Sequence, residues 1–176
     1  MKDPCGVDTL PRFSYKVISE TRGDAQKKRR ILVATGEELL TKGEADVWDS
    51  GFSETDETVL IPYDGKALSP VTRYYYAVMC ETKQGEVLTS APATFVTGKL
   101  GTKFTAKWIS LARLPKNTTS AQYLRQEFFV GEHLKEAYLT ICGLGYFESY
   151  INGKKTGDDI LSPAYSRYDA ECYYMQ

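Results

Sequence analysis

The sequence predicts an all-β protein made of antiparallel sandwiches. Through most of the chain, apolar and polar residues alternate with a period of two, which is the pattern of half-buried strands. Turn-forming residues separate these segments at short, regular intervals, as they do in sandwiches. The one helix-like stretch, residues 36–44, is brief and charged, so helices are expected to contribute little to the fold.

Five segments within the first hundred residues have the composition of strands. In chain order they are 13–17, 29–35, 59–63, 74–80 and 91–95. Ile31 and Val33 stand two positions apart in the second segment, so they are expected to share one buried face. Asp64-Gly65 and Lys83-Gln84-Gly85 are typical turn sequences, and they end the third and fourth segments.

A short polar stretch separates this part of the chain from the rest. Residues 99–103 carry two lysines, a glycine and little to bury, which predicts a linker. A strand-like pattern then resumes in a second set of candidate strands: 108–109, 123–130, 137–141 and 145–151. Asn152-Gly153 follows the last of these, and it predicts a two-residue hairpin because a type I′ turn needs positive φ at both positions.

Charge and composition exclude several classes of function. Twenty-two basic and 23 acidic residues leave a net charge of −1, without the basic excess of a nucleic-acid-binding domain. The longest apolar run, residues 74–80, is too short to span a membrane. His133 is the only histidine, which excludes a two-histidine metal centre. We therefore expect no metal, no cofactor, no nucleic-acid partner and no membrane span.

The chain has four cysteines, Cys5, Cys80, Cys142 and Cys172, and none is part of a Cys-x-x-Cys motif. Their spacing excludes zinc-ribbon and thioredoxin-type sites. We expect them to pack as small apolar residues. One disulfide among them is the alternative.

Residues 68–74, with the sequence Leu-Ser-Pro-Val-Thr-Arg-Tyr, have the spacing of the tyrosine corner in fibronectin type III domains. In that arrangement Tyr74 opens a strand while its hydroxyl bonds to the backbone a few residues upstream. Together with the Trp48 segment before it and the ending at Gly98, the motif predicts a fibronectin type III-like (immunoglobulin-like) sandwich over residues 1–98.

Five further motifs occur in a fixed order between residue 3 and the C-terminus. They are DPCGVDT at 3–9, VWDSG at 47–51, TRYYY at 72–76, GLGYFESYINGKK at 143–155 and GDDILSP at 157–163. In this order they resemble the N-terminal region of bacterial α-L-rhamnosidases of glycoside hydrolase family seventy-eight. The last two motifs resemble the second β-sandwich of these enzymes, which is jelly-roll-like or galactose-binding-like. Residues 104–176 are accordingly expected to form the N-terminal part of that sandwich.

The resemblance also implies where catalysis takes place. Enzymes of this family hydrolyse terminal α-linked L-rhamnose in a downstream (α/α) barrel, where two acidic residues carry out an inverting reaction. The sequence ends at Gln176, before such a barrel. We therefore expect a non-catalytic N-terminal accessory region with no catalytic residue of its own, whose partner is the barrel of the parent enzyme.

A sandwich that is cut short leaves apolar faces uncovered and strand edges unpaired. On this basis we predict a homodimer, or partial disorder, through residues 121–176. Late in this region four tyrosines are expected to be buried against later strands or the barrel: Tyr165, Tyr168, Tyr173 and Tyr174.

Two groups of residues are candidates for contact with carbohydrate. Tyr146, Glu148 and Tyr150 alternate along one strand and place aromatic rings beside a polar acceptor on one face. A cross-strand aromatic ladder at an outer face or a domain interface is the structural alternative. Asp158 and Asp159 are neighbours, so on a strand their side chains would point to opposite faces and could not act as a catalytic pair. A solvated loop is the alternative for them.

Two other classes of function stay open. The chain could be a stand-alone carbohydrate-binding module for rhamnose-containing glycans, or a fibronectin-like module that binds proteins or acts as a spacer. The compartment stays open as well. It is either the bacterial cytoplasm or, after removal of a signal, the periplasm or the exterior.

Overall fold

The structure, a computed structural model, describes residues 3–111 and 121–176. The N-glycosylation sequon Asn117-Thr118-Thr119 lies outside these ranges. The described residues form short strands and one five-residue helix, which confirms the all-β prediction. In chain order the elements are β1 (Arg12–Phe13), β2 (Gln26–Ala34), α1 (Glu37–Thr41), β3 (Trp48–Asp49), β4 (Ser53–Glu54), β5 (Ile61–Pro62), β6 (Arg73–Thr82), β7 (Val87–Thr89), β8 (Ala93–Val96), β9 (Ile141–Cys142), β10 (Tyr150–Ile151), β11 (Lys154–Lys155) and β12 (Tyr174–Met175).

The largest sheet is centred on the long antiparallel pair of β2 and β6. Their ladder runs from the pair Gln26–Thr82 to the pair Ala34–Tyr75, with one irregularity next to Gln26. Strands β3 and β4 pair with successive parts of β2, while β7 and β8 pair with successive parts of β6. A second, two-stranded sheet consists of β1 and β5. The two long strands therefore organise the first unit of the molecule.

The two sheets of the first unit enclose an aromatic and aliphatic core. Ile31 and Val33 are both fully buried in it, which confirms that they share one face of β2. The ring of Trp48 closes the edge of the core, with its centroid 5.9 Å from that of Phe13 and 5.2 Å from that of Tyr63. The buried members of this cluster are Phe13, Ile31, Val33, Ile61, Tyr63, Tyr74, Val78 and Phe95.

The opposite face of β2 is buried as well. Leu32 and Ala34 pack with Ala77 of β6 against Leu40 of helix α1. The prediction of a half-buried strand is therefore wrong for this part of β2, because the helix covers the face that would otherwise meet water. The helix lies inside the predicted stretch of residues 36–44.

The tyrosine corner forms as predicted. The backbone N–H of Ser69 donates a hydrogen bond to the hydroxyl of Tyr74 over 2.9 Å. Thr97 reinforces the corner, since its hydroxyl donates to the carbonyl of Ser69 over 2.7 Å. The ring of Tyr74 stacks on Phe95 with centroids 5.5 Å apart. The corner thereby joins the start of β6 to the end of β8.

The strands of the smaller sheet are shorter than the sequence predicts. Segments 13–17 and 59–63 contribute only β1 and β5. Leu60 adopts a φ of +54°, which no regular strand allows. Its N–H bonds to the Ser14 hydroxyl over 2.9 Å instead of to a strand partner. The alternating pattern thus continues through this region while the regular ladder stops.

The region after residue 103 differs more strongly from the prediction. Residues 108–109 and 123–130 form no strand, so both predictions are wrong, and the segments 137–141 and 145–151 reach strand geometry only at their ends. Phe129 is fully exposed, and other large apolar side chains of this stretch are exposed with it. A strand needs a paired neighbour, and these segments have no ladder partner within the described residues. The strands that do form are the pairs β9–β12 and β10–β11.

Several classes of site are not found in the described part of the chain. No helix in residues 3–111 or 121–176 has the length and apolar character needed to cross a bilayer. Within the same ranges, no three metal-binding side chains of His, Cys, Asp or Glu come together. All four cysteines are free thiols. Cys80 is buried as expected, whereas Cys5 is exposed, contrary to the expectation.

Candidate functional site

The hairpin formed by β10 and β11 carries the predicted carbohydrate-contact residues. Asn152 and Gly153 have φ values of +49° and +78°, the positive pair that a type I′ turn requires. The register pairs Tyr150 with Lys155, and the N–H of Thr156 bonds to the carbonyl of Ser149 over 2.9 Å. The predicted two-residue hairpin is therefore confirmed.

The outer face of this hairpin presents Tyr146, Glu148, Tyr150 and Lys155, which we call the tyrosine–glutamate face. Its two tyrosines are 63% and 57% exposed. Tyr150 donates its hydroxyl proton to one Glu148 oxygen over 2.7 Å, and Lys155 Nζ donates to the other over 2.8 Å. The structure thus joins Tyr150 and Glu148 by a hydrogen bond, and Tyr146 is exposed on the same side, since residues 144, 146, 148 and 150 are exposed and the residues between them are less so.

The electrostatics of this face fix the ionisation of Glu148. The hydrogen bond from Lys155, followed by the one from Tyr150, lowers the pKa of the Glu148 carboxyl. The same interaction raises the pKa of the Lys155 ammonium. Glu148 is therefore a carboxylate at neutral pH. Its oxygens have lone pairs beyond the two in use, so it can accept further hydrogen bonds from hydroxyl groups.

Asp158 and Asp159 have different surroundings. The charge of Asp158 contributes to the raised pKa of Lys155, which places Asp158 near the tyrosine–glutamate face. Asp159 instead lines a cavity next to Ser149 and Thr156. The neighbouring carboxylates thus do not line one common cavity.

The cavity behind the hairpin has a volume of about 260 Å³. Ser149 and Thr156 face it from the hairpin, and their hydroxyl groups hydrogen-bond to each other. The remaining walls come from the segment around β9 and from the C-terminus. They include Ala137, Tyr138, Leu139, Ile141, Phe147, Met175 and Gln176.

Sequence reasoning did not single out two residues of this region. Lys155 is opposite Tyr150 in the hairpin, so the two-residue turn already implies that it lies beside Glu148. Tyr123 is almost fully exposed and lies close enough to contribute to the raised pKa of Tyr150, whose main cause is the hydrogen bond to Glu148. No local pattern could indicate the position of Tyr123, because it comes from a distant and irregular segment.

A second cavity, of about 480 Å³, opens between the two sheets of the first unit. Trp48, Asp49 and Asp64 are among its lining residues. Asp49 forms a bidentate ion pair with Arg30, with N–O distances of 2.8 and 2.6 Å. This hydrogen bonding lowers the pKa of Asp49 and uses both of its oxygens.

The C-terminal strand packs on the segment that the sequence predicts as a linker. The hydroxyl of Tyr174 accepts a hydrogen bond from the N–H of Lys99 over 2.7 Å, and its ring packs edge-on against Phe104 with centroids 5.6 Å apart. A Cβ atom on residue 98 would lie only 2.5 Å from this hydroxyl, so the close approach requires Gly98. Tyr174 thus already packs within this chain, and its contact with later parts of the parent stays a prediction.

Comparison with known proteins gives two family matches. A family model described as the Rha78A-like N-terminal immunoglobulin domain matches residues 1–101. A second, described as the α-L-rhamnosidase N-terminal domain, matches residues 132–176.

Relatives and solved structures agree with these matches. An α-L-rhamnosidase of Formosa agariphila is 32% identical and aligns with 98% of this chain and 21% of its own length. The structure of α-L-rhamnosidase from Dictyoglumus thermophilum has a TM-score of 0.80 and 28% identity, and it covers 99% of this chain and 21% of that one. The Streptomyces avermitilis α-L-rhamnosidase complexed with L-rhamnose has a TM-score of 0.58 and 36% identity over 62% of this chain and 11% of its own. The chain thus spans about a fifth of the length of the curated relatives that match nearly all of it.

Proposed function

The chain belongs to the α-L-rhamnosidase family, and we propose that it is the non-catalytic N-terminal accessory region of an enzyme that removes terminal α-linked L-rhamnose from glycans. The observation that carries the proposal is the coverage, since the Formosa relative aligns with 98% of this chain and only 21% of itself. Both matching family models describe N-terminal domains. The inverting reaction then belongs to a barrel that follows this region in the parent enzyme.

The chemistry of Glu148 supports an accessory role. Inverting hydrolysis needs a carboxylic acid that keeps its proton until it protonates the leaving oxygen, and a carboxylate about 6.5–9.5 Å away that activates water. Such an acid needs a raised pKa, whereas Lys155 and Tyr150 lower the pKa of Glu148. Glu148 is therefore suited to accept hydrogen bonds from sugar hydroxyl groups and unsuited to donate a proton.

The accessory role is tested with the isolated chain and an aryl α-L-rhamnoside. We expect release of the aryl alcohol at the rate of buffer alone, while a full-length family enzyme in the parallel reaction turns the substrate over. Turnover by the isolated chain above buffer would overturn the proposal. In that event Glu148→Gln and Asp159→Asn would identify whether either carboxyl group takes part.

We further propose that the later part of the parent enzyme covers the exposed apolar side chains of the second region. Contiguous apolar surface on a folded protein marks an interaction site. Exposed large apolar residues are concentrated there: Tyr123, Leu124, Phe128, Phe129, Val130 and Leu134. Relatives about five times longer than this chain supply the polypeptide that such a surface needs.

Self-association as a homodimer through residues 121–176 is the alternative way to cover this surface. Light scattering of the isolated chain and hydrogen exchange of a full-length family enzyme distinguish the two. Protection of residues 123–134 in a monomeric full-length enzyme supports coverage by the later part of the parent. A concentration-independent dimer of the isolated chain that is lost with Phe128→Ser and Phe129→Ser supports self-association instead.

The tyrosine–glutamate face favours a second candidate function, contact with rhamnose-containing glycans. Sugar sites combine an aromatic surface, which packs on the apolar face of the ring, with a charged acceptor for its hydroxyl groups. Tyr146 and Tyr150 supply the rings, and Glu148 supplies an ionised acceptor held by Lys155. In this proposal Asp158 extends the polar rim, and Asp159, which lines the cavity behind the hairpin, contributes from that side.

Calorimetric titration with L-rhamnose and a methyl rhamnoside tests this contact. We expect Tyr146→Ala and Glu148→Gln each to weaken binding by about tenfold, since one sugar-packing ring or charged hydrogen bond contributes roughly 1–2 kcal/mol. Tyr165→Ala removes a tyrosine outside the hairpin that is also exposed, at 80%, and serves as the matched control. No heat with either sugar, combined with a stable complex with another protein, would favour an interaction or spacer module.

A further inference from the structure

Cys142 and Cys172 are brought together in the second region of the molecule. Cys142 belongs to β9, and it is opposite Tyr174 in the antiparallel ladder with β12. Cys172 is two residues before Tyr174 and just outside β12, so extended geometry continued from the strand puts it on the same side as Tyr174 and its partner. The register thus makes the two cysteines diagonal neighbours, a relation that keeps side chains within reach across two strands.

Side-chain contacts agree with this register. The Cys142 thiol donates a hydrogen bond to the carbonyl of Tyr173, the residue that follows Cys172, over 3.3 Å. Burial is the main reason that the pKa of the Cys142 thiol is raised, and the neighbouring Cys172 thiol, within hydrogen-bonding reach, adds to it. Both cysteines are free and only partly buried, so a small molecule can approach them from solvent.

The other two cysteines have different surroundings, which makes this pair specific. Cys80 is buried within β6, and Cys5 is exposed near the N-terminus. The pair also lies where strand β12 meets the segment that carries the β10–β11 hairpin. Strand β12 packs on the linker through Tyr174, and the chain between the two cysteines contains the β10–β11 hairpin. A link between them would fix both ends of that segment to each other.

We propose that Cys142 and Cys172 form a dithiol site that a low-molecular-weight disulfide oxidises to an intrachain disulfide. One cysteine thiolate attacks a sulfur of R–S–S–R, which forms a mixed disulfide and releases one R–S⁻. The second thiolate attacks the cysteine sulfur of the mixed disulfide and releases the second R–S⁻. The two cysteines lose two protons and two electrons, and the reagent is reduced to two R–SH. The proposal does not depend on the function assigned above.

The expected consequence is a more stable attachment of β12. A disulfide reduces the conformational freedom of the unfolded chain, and the benefit grows with the length of the closed loop. For a chain of this size the melting temperature of the oxidised form should rise by about 4–16 °C relative to the reduced form. The hairpin with the tyrosine–glutamate face would gain most, because it lies inside the closed loop.

The test exposes the full chain to oxidised glutathione and then blocks the remaining thiols with N-ethylmaleimide. Trypsin releases Cys142 in peptide 136–154 and Cys172 in peptide 168–176, so mass spectrometry without reduction detects their linkage directly. We expect these two peptides to be linked in the oxidised chain. Cys142→Ser should abolish the linkage and the rise in melting temperature, and leave Cys172 as a mixed disulfide with glutathione.

Cys5→Ser is the matched control, and it should leave both the linkage and the melting temperatures unchanged. Separate mixed disulfides on Cys142 and Cys172 after prolonged oxidation would overturn the proposal. So would a dominant linkage through Cys5 or Cys80, or a linkage found only between two chains. Serine differs from cysteine by one atom, so reduced Cys142→Ser is expected to fold, and its circular dichroism spectrum checks this.

Discussion

Both regions of the chain contain strand-like sequence segments, yet they have different structures. In the first, β2 and β6 pair over most of their length and bury both faces, one against β1 and β5 and the other against α1. In the second, each strand has two residues and large apolar side chains are exposed. Ile31 and Phe129 mark the extremes, at 0% and 104% exposure.

The structural difference between the two regions shows that a sandwich has two separate requirements. Alternation decides which side chains point to the same side of a strand. Burial additionally needs a second layer, and burying apolar area stabilises the fold by about 25 cal/mol per Å². The first region encodes both layers, since Phe13 and Ile61 of the small sheet meet Ile31 and Val33 of the large one. In the described part of the second region, the outward-facing rings meet no such layer.

The largest expected effect tests this contrast directly. Replacing Ile31 with alanine removes a fully buried side chain from the core and should lower the free energy of unfolding by about 2–5 kcal/mol. Replacing Phe129 with alanine removes a larger side chain that is surrounded by solvent, and should change it by less than about 0.5 kcal/mol. Urea denaturation measures both.

Tryptophan fluorescence can be restricted to the first region for this measurement. Trp48 packs against Phe13 and Tyr63, whereas Trp108 is exposed, so a Trp108→Phe background leaves Trp48 as the reporter. A loss for Phe129→Ala as large as that for Ile31→Ala would mean that Phe129 is covered in solution. Such coverage by association would make the loss for Phe129→Ala fall at low protein concentration, and the contrast between the two regions would then return.

A smaller effect is expected at the tyrosine corner. Tyr74→Phe keeps the ring on Phe95 and removes only the hydroxyl that accepts the Ser69 N–H. An unpaired, partly buried N–H should lower the free energy of unfolding by about 1–2 kcal/mol. Tyr165→Phe removes the hydroxyl of an exposed ring in the second region and should have no measurable effect. Equal effects of the two variants would contradict the assignment of the corner as a structural element.

The sequence predicts those parts of the fold that depend on local chemistry. The corner at Tyr74, the shared face of Ile31 and Val33, and the turn at Asn152-Gly153 each follow from spacing or from backbone preference. The burial of Leu32 does not follow from the sequence, because it depends on a helix that folds back from later in the chain. The absence of strand structure in residues 123–130 does not follow from the sequence either, since their aromatic and β-branched composition is typical of a strand while a ladder partner is missing from the described residues.

In the candidate site, too, some features follow from the sequence and others do not. Grouping of Tyr146, Glu148 and Tyr150 follows from period two, and the position of Lys155 follows from the turn length. The different surroundings of Asp158 and Asp159 are typical of neighbours in an extended segment. The packing of Tyr174 on Lys99 and Phe104 could not be predicted, because it needs the close approach at Gly98, which lies far away in sequence.

The smallest expected effect concerns acid stability and compares one ion pair from each region. The Arg30 hydrogen bonds lower the pKa of Asp49 in the folded state, so this pair stabilises the fold above the unfolded-state pKa of about 4. The stabilisation is lost as the pH falls further, through the folded-state pKa. Because Asp49 is partly exposed, the contribution at neutral pH should be about 1 kcal/mol or less.

Urea titrations of the unsubstituted chain and of the Asp49→Asn variant at several pH values measure this contribution. The difference in free energy of unfolding should be present at pH 7 and should shrink as the pH falls below the unfolded-state pKa of about 4, because the lowered pKa of Asp49 makes protonation cost stability in the folded state. In the second region, Glu148 also has a lowered pKa but its side chain is exposed, so Glu148→Gln should leave the unfolding midpoint of the Trp48 signal unchanged at every pH. A pH-dependent shift with Glu148→Gln as large as that with Asp49→Asn would mean that the two regions unfold as one cooperative unit. The contacts of Tyr174 with the linker would then have to transmit stability between them.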